Sequence, residues 1–218
     1  VDEMAAIDEG TETIIPLLKM SEVISEHSRR VSLLAVLIGR VLELSHEEIQ
    51  DLKLGGLLHD IGKMSISQGI LKKPGKLTND EFALVKIHPV LGGNFVEAIC
   101  YPRKIIDMVR YHHERLDGSG YPFGLSEDLL PLSSRIIAVA DVYEAMTATR
   151  PYRPALSVRE AFEELGQPDK YDQAVVRALR RALSSVDLTD FYELAREFGT
   201  QDLKVAFSNG DSSVRLAD

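Results

Sequence analysis

At 218 residues, with 44% hydrophobic, 27% charged and 6% aromatic residues, the chain reads as one globular domain with appendages, neither disordered nor membrane-like. Its net charge of −9 and pI near 5.2 argue against a broad nucleic-acid-binding surface, so no DNA or RNA partner is expected. The lone Cys100 excludes an internal disulfide and suits a reducing, cytoplasmic setting. No apolar run reaches the roughly 18 residues of a spanning helix, and no signal peptide is visible. A start at Val1 rather than methionine is expected of a chain processed or excised from something longer.

Residues 1–20 are acidic and weakly patterned, and are expected to be a lead-in from an upstream module. From Ser21 to Leu44 the pattern is helical, with His27, Val31, Leu34, Ile38 and Val41 on one apolar stripe. Ser45 and Glu48 form a capping-box pattern for a second helix, whose stripe Ile49, Leu52, Gly56 ends on His59. Asp60 follows, with Gly62 as the expected helix stop and Lys63 just beyond it. After a loop containing KKPGK (72–76), Thr78 and Glu81 make another capping box. Phe82, Val85 and His88 are expected to face inward, and Pro89 puts His88 at a break. Gly92, Phe95, Val96 and Ile99 resume a helical stripe. Pro102 then precedes a helix in which Ile105, Val109 and His112 or His113 share a face.

The stretch HHERLDGSGYP, His112 to Pro122, follows that helix, and Gly118 and Gly120 permit a tight, irregular loop. Residues 136–146, IIAVADVYEAM, are apolar on most sides and predict a central buried helix carrying Asp141 and Glu144. Ser157 and Glu160 predict another capped helix, and 171–183 one more. Beyond Ser184 the character changes. A short helix is expected over Thr189–Phe198, then a small hairpin turning at Asn209-Gly210. The expected organisation is thus a lead-in (1–20), an all-α domain (21–183) and a C-terminal extension (184–218).

Five of the six histidines fall at the apolar edge or the end of a predicted helix, and only His46 sits in a polar helix start. Singly, each has a bland reading as a hydrogen-bonded core residue. Jointly His27, His59, His88, His112 and His113 with Asp60 and Asp141 supply five imidazoles, two carboxylates and no thiolate. That inventory suits two divalent transition metals sharing a carboxylate better than one closed structural zinc, which takes about four ligands. Two metals about 3.5–4 Å apart favour hydrolytic displacement, commonly at phosphorus. Lys63 is then either a cation for the phosphoryl oxygens or a surface lysine.

Taken as a set, HDIGK (59–63), ILKKPGKLT (70–78), His88-Pro89, HHERLDGSGYP and ADVYEAMTATRPYR (140–153) closely resemble the HD-GYP family of bacterial phosphodiesterases, within the HD superfamily. The resemblance runs from Ser21 to Leu183. It implies an all-helical fold enclosing the metals, and hydrolysis of cyclic di-GMP to linear pGpG, sometimes onward to GMP. By position, His27, His59, Asp60 and Asp141 resemble the ligands of one metal, and His88, His112 and His113 those of the other, with Asp60 bridging. Lys63 matches a phosphate-contacting lysine, and Gly120, Tyr121 and Pro122 a loop beside the substrate, where Tyr121 would stack on a guanine. Arg150 and Arg153 match basic positions that reach the substrate; their bland reading is a surface loop. Iron or manganese is the expected metal, with zinc, nickel or cobalt also compatible with such ligands. Diguanylate cyclase (GGDEF) proteins and a second copy in a homodimer are the expected macromolecular partners.

Three departures stand out. Trinuclear members carry a glutamate four residues before the first histidine, where this chain has Val23, so two metals are expected rather than three. Glu144 stands in place of a usual aspartate, and Ser67-Gln68 replaces a common Pro-acid pair. Two other function classes are open to the sequence. One is a receptor or interaction module that binds the nucleotide without turning it over. The other is a phosphodiesterase for a related cyclic dinucleotide.

Overall fold

The computed structural model describes residues 22–149 and 154–185. The expected lead-in, Arg150 and Arg153, and the helix and hairpin of the C-terminal extension lie outside the described residues. Nine α-helices are present among them: α1 (Glu22–Val41), α2 (His46–Leu58), α3 (Gln68–Leu71), α4 (Asn79–Lys86), α5 (His88–Ala98), α6 (Arg103–Tyr111), α7 (Leu132–Thr147), α8 (Val158–Leu165) and α9 (Gln173–Ser185). Short 3-10 turns cover Ile61–Ser65 and Glu127–Leu129. No strand forms among the described residues, so the fold is all-α, as the periodicity predicts.

All three capping boxes form. Ser45 with Glu48, Thr78 with Glu81 and Ser157 with Glu160 each exchange side-chain and backbone hydrogen bonds at the starts of α2, α4 and α8. Helix α7 is buried on most sides, from Ser134 and Ile136 through Asp141 and Glu144 to Thr147. It packs on α1, α2, α6, α8 and α9, while α1 also lies along α2 and α9. Val31, Leu34 and Ile38 of α1, Leu52 and Leu58 of α2, Ile105 and Val109 of α6, and Ile136, Ile137 and Tyr143 of α7 form the shared core. Two carboxylates on the central helix therefore sit in a region that desolvates them, which is costly unless cations or donors compensate.

Three expectations need correction. Helix α2 ends at Leu58, before Gly62, and Gly62 serves a different purpose. A Cβ on Gly62 would stand 2.0 Å from His88 O and 2.6 Å from Gly92 N, so the missing side chain lets the 3-10 turn press against α5. The stripe over α5 also departs from its pattern. Val96 and Gly92 are buried, but Phe95 and Ile99 are 40% and 43% exposed, because α5 packs chiefly on α6 and the 3-10 turn and leaves its other side to solvent. Phe82 of α4 likewise turns outward, at 45% exposure.

Candidate metal centre

Three of the histidines stand just past the ends of three different helices. His59, His88 and His112 each follow a helix's last turn, where backbone carbonyls lack an intrahelical donor. Each ring uses one of them. Nδ1 faces Gly56 O at 2.8 Å in His59, Val85 O at 2.7 Å in His88 and Val109 O at 2.8 Å in His112. A ring nitrogen that faces a carbonyl oxygen carries the hydrogen, so Nε2 is left as the lone pair in all three. The helix end thus satisfies itself and aims a ligand atom with the same bond.

These lone pairs converge. His88 Nε2 lies 3.2 Å from His112 Nε2, and His59 Nε2 lies 3.3 Å from His27 Nε2. Asp60, 2% exposed, points Oδ1 at His88 Nε2 (3.1 Å) and Oδ2 at His59 Nε2 (3.5 Å) and His27 Nε2 (3.6 Å). Asp141 Oδ1 stands 3.2 Å from His27 Nε2 and 3.8 Å from His59 Nε2. Its Oδ2 stands 3.8 Å from His113 Nδ1, so Asp141 reaches both halves of the cluster. Two sets of ligand atoms result, each within 4.8 Å: Asp60, His88, His112 and His113, and His27, His59 and Asp60. They share Asp60.

For His59, His112 and His113 the electrostatics agree with this geometry. Burial lowers the pKa of His59 and His112, and takes His113 down to about 3. Burial would raise Asp60 and Asp141, but Lys63 and His59 beside Asp60, and His27 and His59 beside Asp141, outweigh it and hold both well below the usual carboxylate range. His27 shifts the other way. Burial opposes its charge, yet hydrogen bonds to Asp141 and Glu144 prevail and push its pKa up to about 9.

The residues fit divalent metal. Asp60 Oδ1 is buried with no hydrogen-bond partner, and the lone pairs of His88 and His112 face each other with no hydrogen between them. Both are unfavourable unless a cation lies among them. Nitrogens held at about 2.0–2.1 Å in a tetrahedral array stand about 3.3–3.4 Å apart, close to the two Nε2–Nε2 separations found.

The structure brings together all seven residues singled out by sequence, and Lys63 with them, its Nζ 2.5 Å from Asp60 Oδ2. It also gives a role to Glu144, which the sequence left open, and adds Glu114, which sequence reading missed. Glu144, 3% exposed, accepts from His27 Nδ1 and from Arg30 Nε, the latter at 2.8 Å. Glu114, 2% exposed, accepts from the backbone N–H of Phe123 (2.7 Å) and Leu125 (3.1 Å), bracing the loop after His113 from inside. Only its place directly after the two histidines hinted at this. A Cβ on Gly120 would stand 2.4 Å from Glu114 Cα, so the loop folds back onto its own start. That return places the Tyr121 ring on His113, centroids 4.6 Å apart and planes 30° from parallel, with Tyr121 N–H donating to His113 O at 3.2 Å.

An HD domain family model matches residues 12–175. The chain belongs to the HD domain family. A cyclic di-GMP phosphodiesterase of Pseudomonas aeruginosa is 39% identical over 78% of this chain and 42% of its own length. A 3′3′-cGAMP-specific phosphodiesterase of Vibrio cholerae is 38% identical over 72% of this chain and 35% of its own. This HD domain therefore spans less than half the length of these relatives. A solved HDG"Y"P protein of Bdellovibrio bacteriovorus superposes with a TM-score of 0.62 at 23% identity, over 73% of this chain and 52% of that one, a likeness of fold. These matches bear out the HD-GYP resemblance read from the motifs. Among the described residues, no helix of this HD domain is long and apolar enough to cross a membrane.

Proposed function

We propose that this HD domain hydrolyses a phosphodiester bond of a cyclic dinucleotide, cyclic di-GMP in the first instance, with two divalent metals held by the clustered side chains. The observation that carries this reading is the pair of ligand sets sharing Asp60. His27 and His59, with Asp141, would hold one metal and His88, His112 and His113 the other, with Asp60 common to both. Iron or manganese suits such imidazole and carboxylate sets. When bound, the metals supply Lewis-acid stabilisation of phosphoryl oxygens and a water of lowered pKa.

The chain's own residues supply the rest. Water adds to one phosphorus and the bond to the ribose 3′ oxygen breaks; the leaving oxygen takes up a proton, giving a linear dinucleotide with a 5′ phosphate. Lys63, a quarter exposed, holds its ammonium at Asp60 Oδ2 and offers a cation to a non-bridging oxygen. Gly120, Tyr121 and Pro122 wall the site beside His113, and Arg150 and Arg153 are proposed to reach the same substrate. The neutral state of His112 and His113 keeps their lone pairs available at ordinary pH.

The test is incubation of metal-loaded protein with cyclic di-GMP, with pGpG followed by chromatography and metals counted on the same sample. Product at two metals per chain is expected; no product at that loading overturns the reading. A second reading, turnover of 3′3′-cGAMP, draws support from the similarity to the Vibrio enzyme and is a parallel arm of the assay. A pure receptor role is disfavoured by the completeness of the ligand set.

A further inference from the structure

Helix α4 carries two side chains that the mechanism does not use. Lys86, in the last turn, extends its ammonium over two aromatic rings, 5.2 Å from the centroid of Tyr121 and 5.0 Å from that of Phe82. Tyr121 is the ring stacked on His113, so this cation stands one aromatic ring away from the ligand cluster. Lys63, Lys73 and Lys104 each pair with a carboxylate, of Asp60, Glu81 and Asp51 respectively. Among the described residues no carboxylate pairs with Lys86. Phe82 beside it is 45% exposed, although its helical register predicts an inward face.

We propose that Lys86 is a specificity-determining residue that selects guanine over adenine, with the base lying against Phe82; this rests on the cyclic dinucleotide reading above. Stacking on an aromatic ring tolerates any base, so Phe82 contributes affinity without choosing. The choice falls to the cation. Guanine presents two acceptors, N7 and O6, on one edge, where adenine presents the N6 amino donor beside N7. An ammonium has donors only, so it bonds the guanine edge and is opposed by the adenine amino group. Tyr121 is already stacked on His113, which leaves Phe82 as the exposed ring beside the cation.

The test uses the full metal-loaded chain and compares kcat/KM for cyclic di-GMP and cyclic di-AMP in wild type, Lys86→Met, Lys86→Arg and Phe82→Leu. Methionine keeps an unbranched stem and removes the charge. Lys86→Met is expected to lower the cyclic di-GMP preference about tenfold, almost wholly through cyclic di-GMP. Lys86→Arg should retain the preference, and Phe82→Leu should lower both substrates alike. An equal loss on both substrates in Lys86→Met identifies a phosphate contact and overturns the proposal, as does no change on either. A wild type that prefers cyclic di-AMP overturns it while leaving phosphodiesterase activity standing. A wild type that cleaves no cyclic dinucleotide overturns both readings together.

Discussion

Glu144 accepts the hydrogen of His27 Nδ1 across 117 residues of chain. His59, His88 and His112 orient themselves on carbonyls of the helix turn they follow, but His27 lies inside α1, where those carbonyls are already bonded. It needs a partner from another helix, and Glu144 of α7 supplies one that Arg30 in turn holds in place. The two oxygens of Glu144 thus serve two different donors, one on His27 and one on Arg30.

Glu144→Gln should weaken metal uptake by the His27 and His59 set roughly ten- to a hundredfold, the usual cost of losing a partner that orients a ligating histidine. His27 Nδ1 and Arg30 Nε donate to different oxygens of Glu144, and glutamine keeps only one of those acceptors, so one of the two donors loses its partner. Calorimetric titration of chelator-stripped protein with manganese checks this. Equal affinities for variant and wild type would remove the orienting role.

Asp60→Ala should abolish turnover and lower metal content at both sets, because the two ligand groups have that carboxylate in common. Elemental analysis after gel filtration gives the measurement. An unchanged metal count would show that Asp60 serves neither set.

Gly62→Ala should destabilise the fold by at least the roughly 1–3 kcal/mol typical of overpacking, since the added methyl meets backbone rather than a movable side chain. Urea unfolding monitored by circular dichroism reads the loss. The same shift would separate Asp60 and Lys63 from His88, so activity should fall even where the variant remains folded.

Glu114→Ala should leave two part-buried backbone N–H groups without their acceptor, at up to about 1–3 kcal/mol each, less where water takes over. The expected result is faster amide exchange at Phe123 and Leu125 and a raised KM, with metal content unchanged. Exchange as slow as in wild type would show that Glu114 does not hold the loop.

Much of the site was legible in the sequence because its chemistry is tied to local pattern. A histidine or aspartate that recurs on an apolar stripe or closes a helix is expected to be buried with it, and five histidines doing so favour one shared site over five solitary core residues. Capping boxes were legible for the same reason, since Ser45 and Glu48 or Thr78 and Glu81 meet within one helical turn. The exposed Phe82, Phe95 and Ile99 were not. Their register says which face of a helix they share, and only the arrangement of neighbouring helices says whether that face is covered.

By itself, then, the sequence determined the all-α class, the ligand inventory and the HD-GYP resemblance, all of which depend on residue type and short-range spacing. The tertiary structure decided which atoms meet. It set the two Nε2–Nε2 separations near 3.2–3.3 Å, made Asp60 common to two ligand sets, and turned Gly62 from a helix stop into a packing contact. It also gave Glu144, Glu114 and Lys86 their partners. Apart from Lys86 over Phe82 within α4, those contacts join residues distant along the chain or at opposite ends of a loop, and no periodicity along one chain encodes the distance between them.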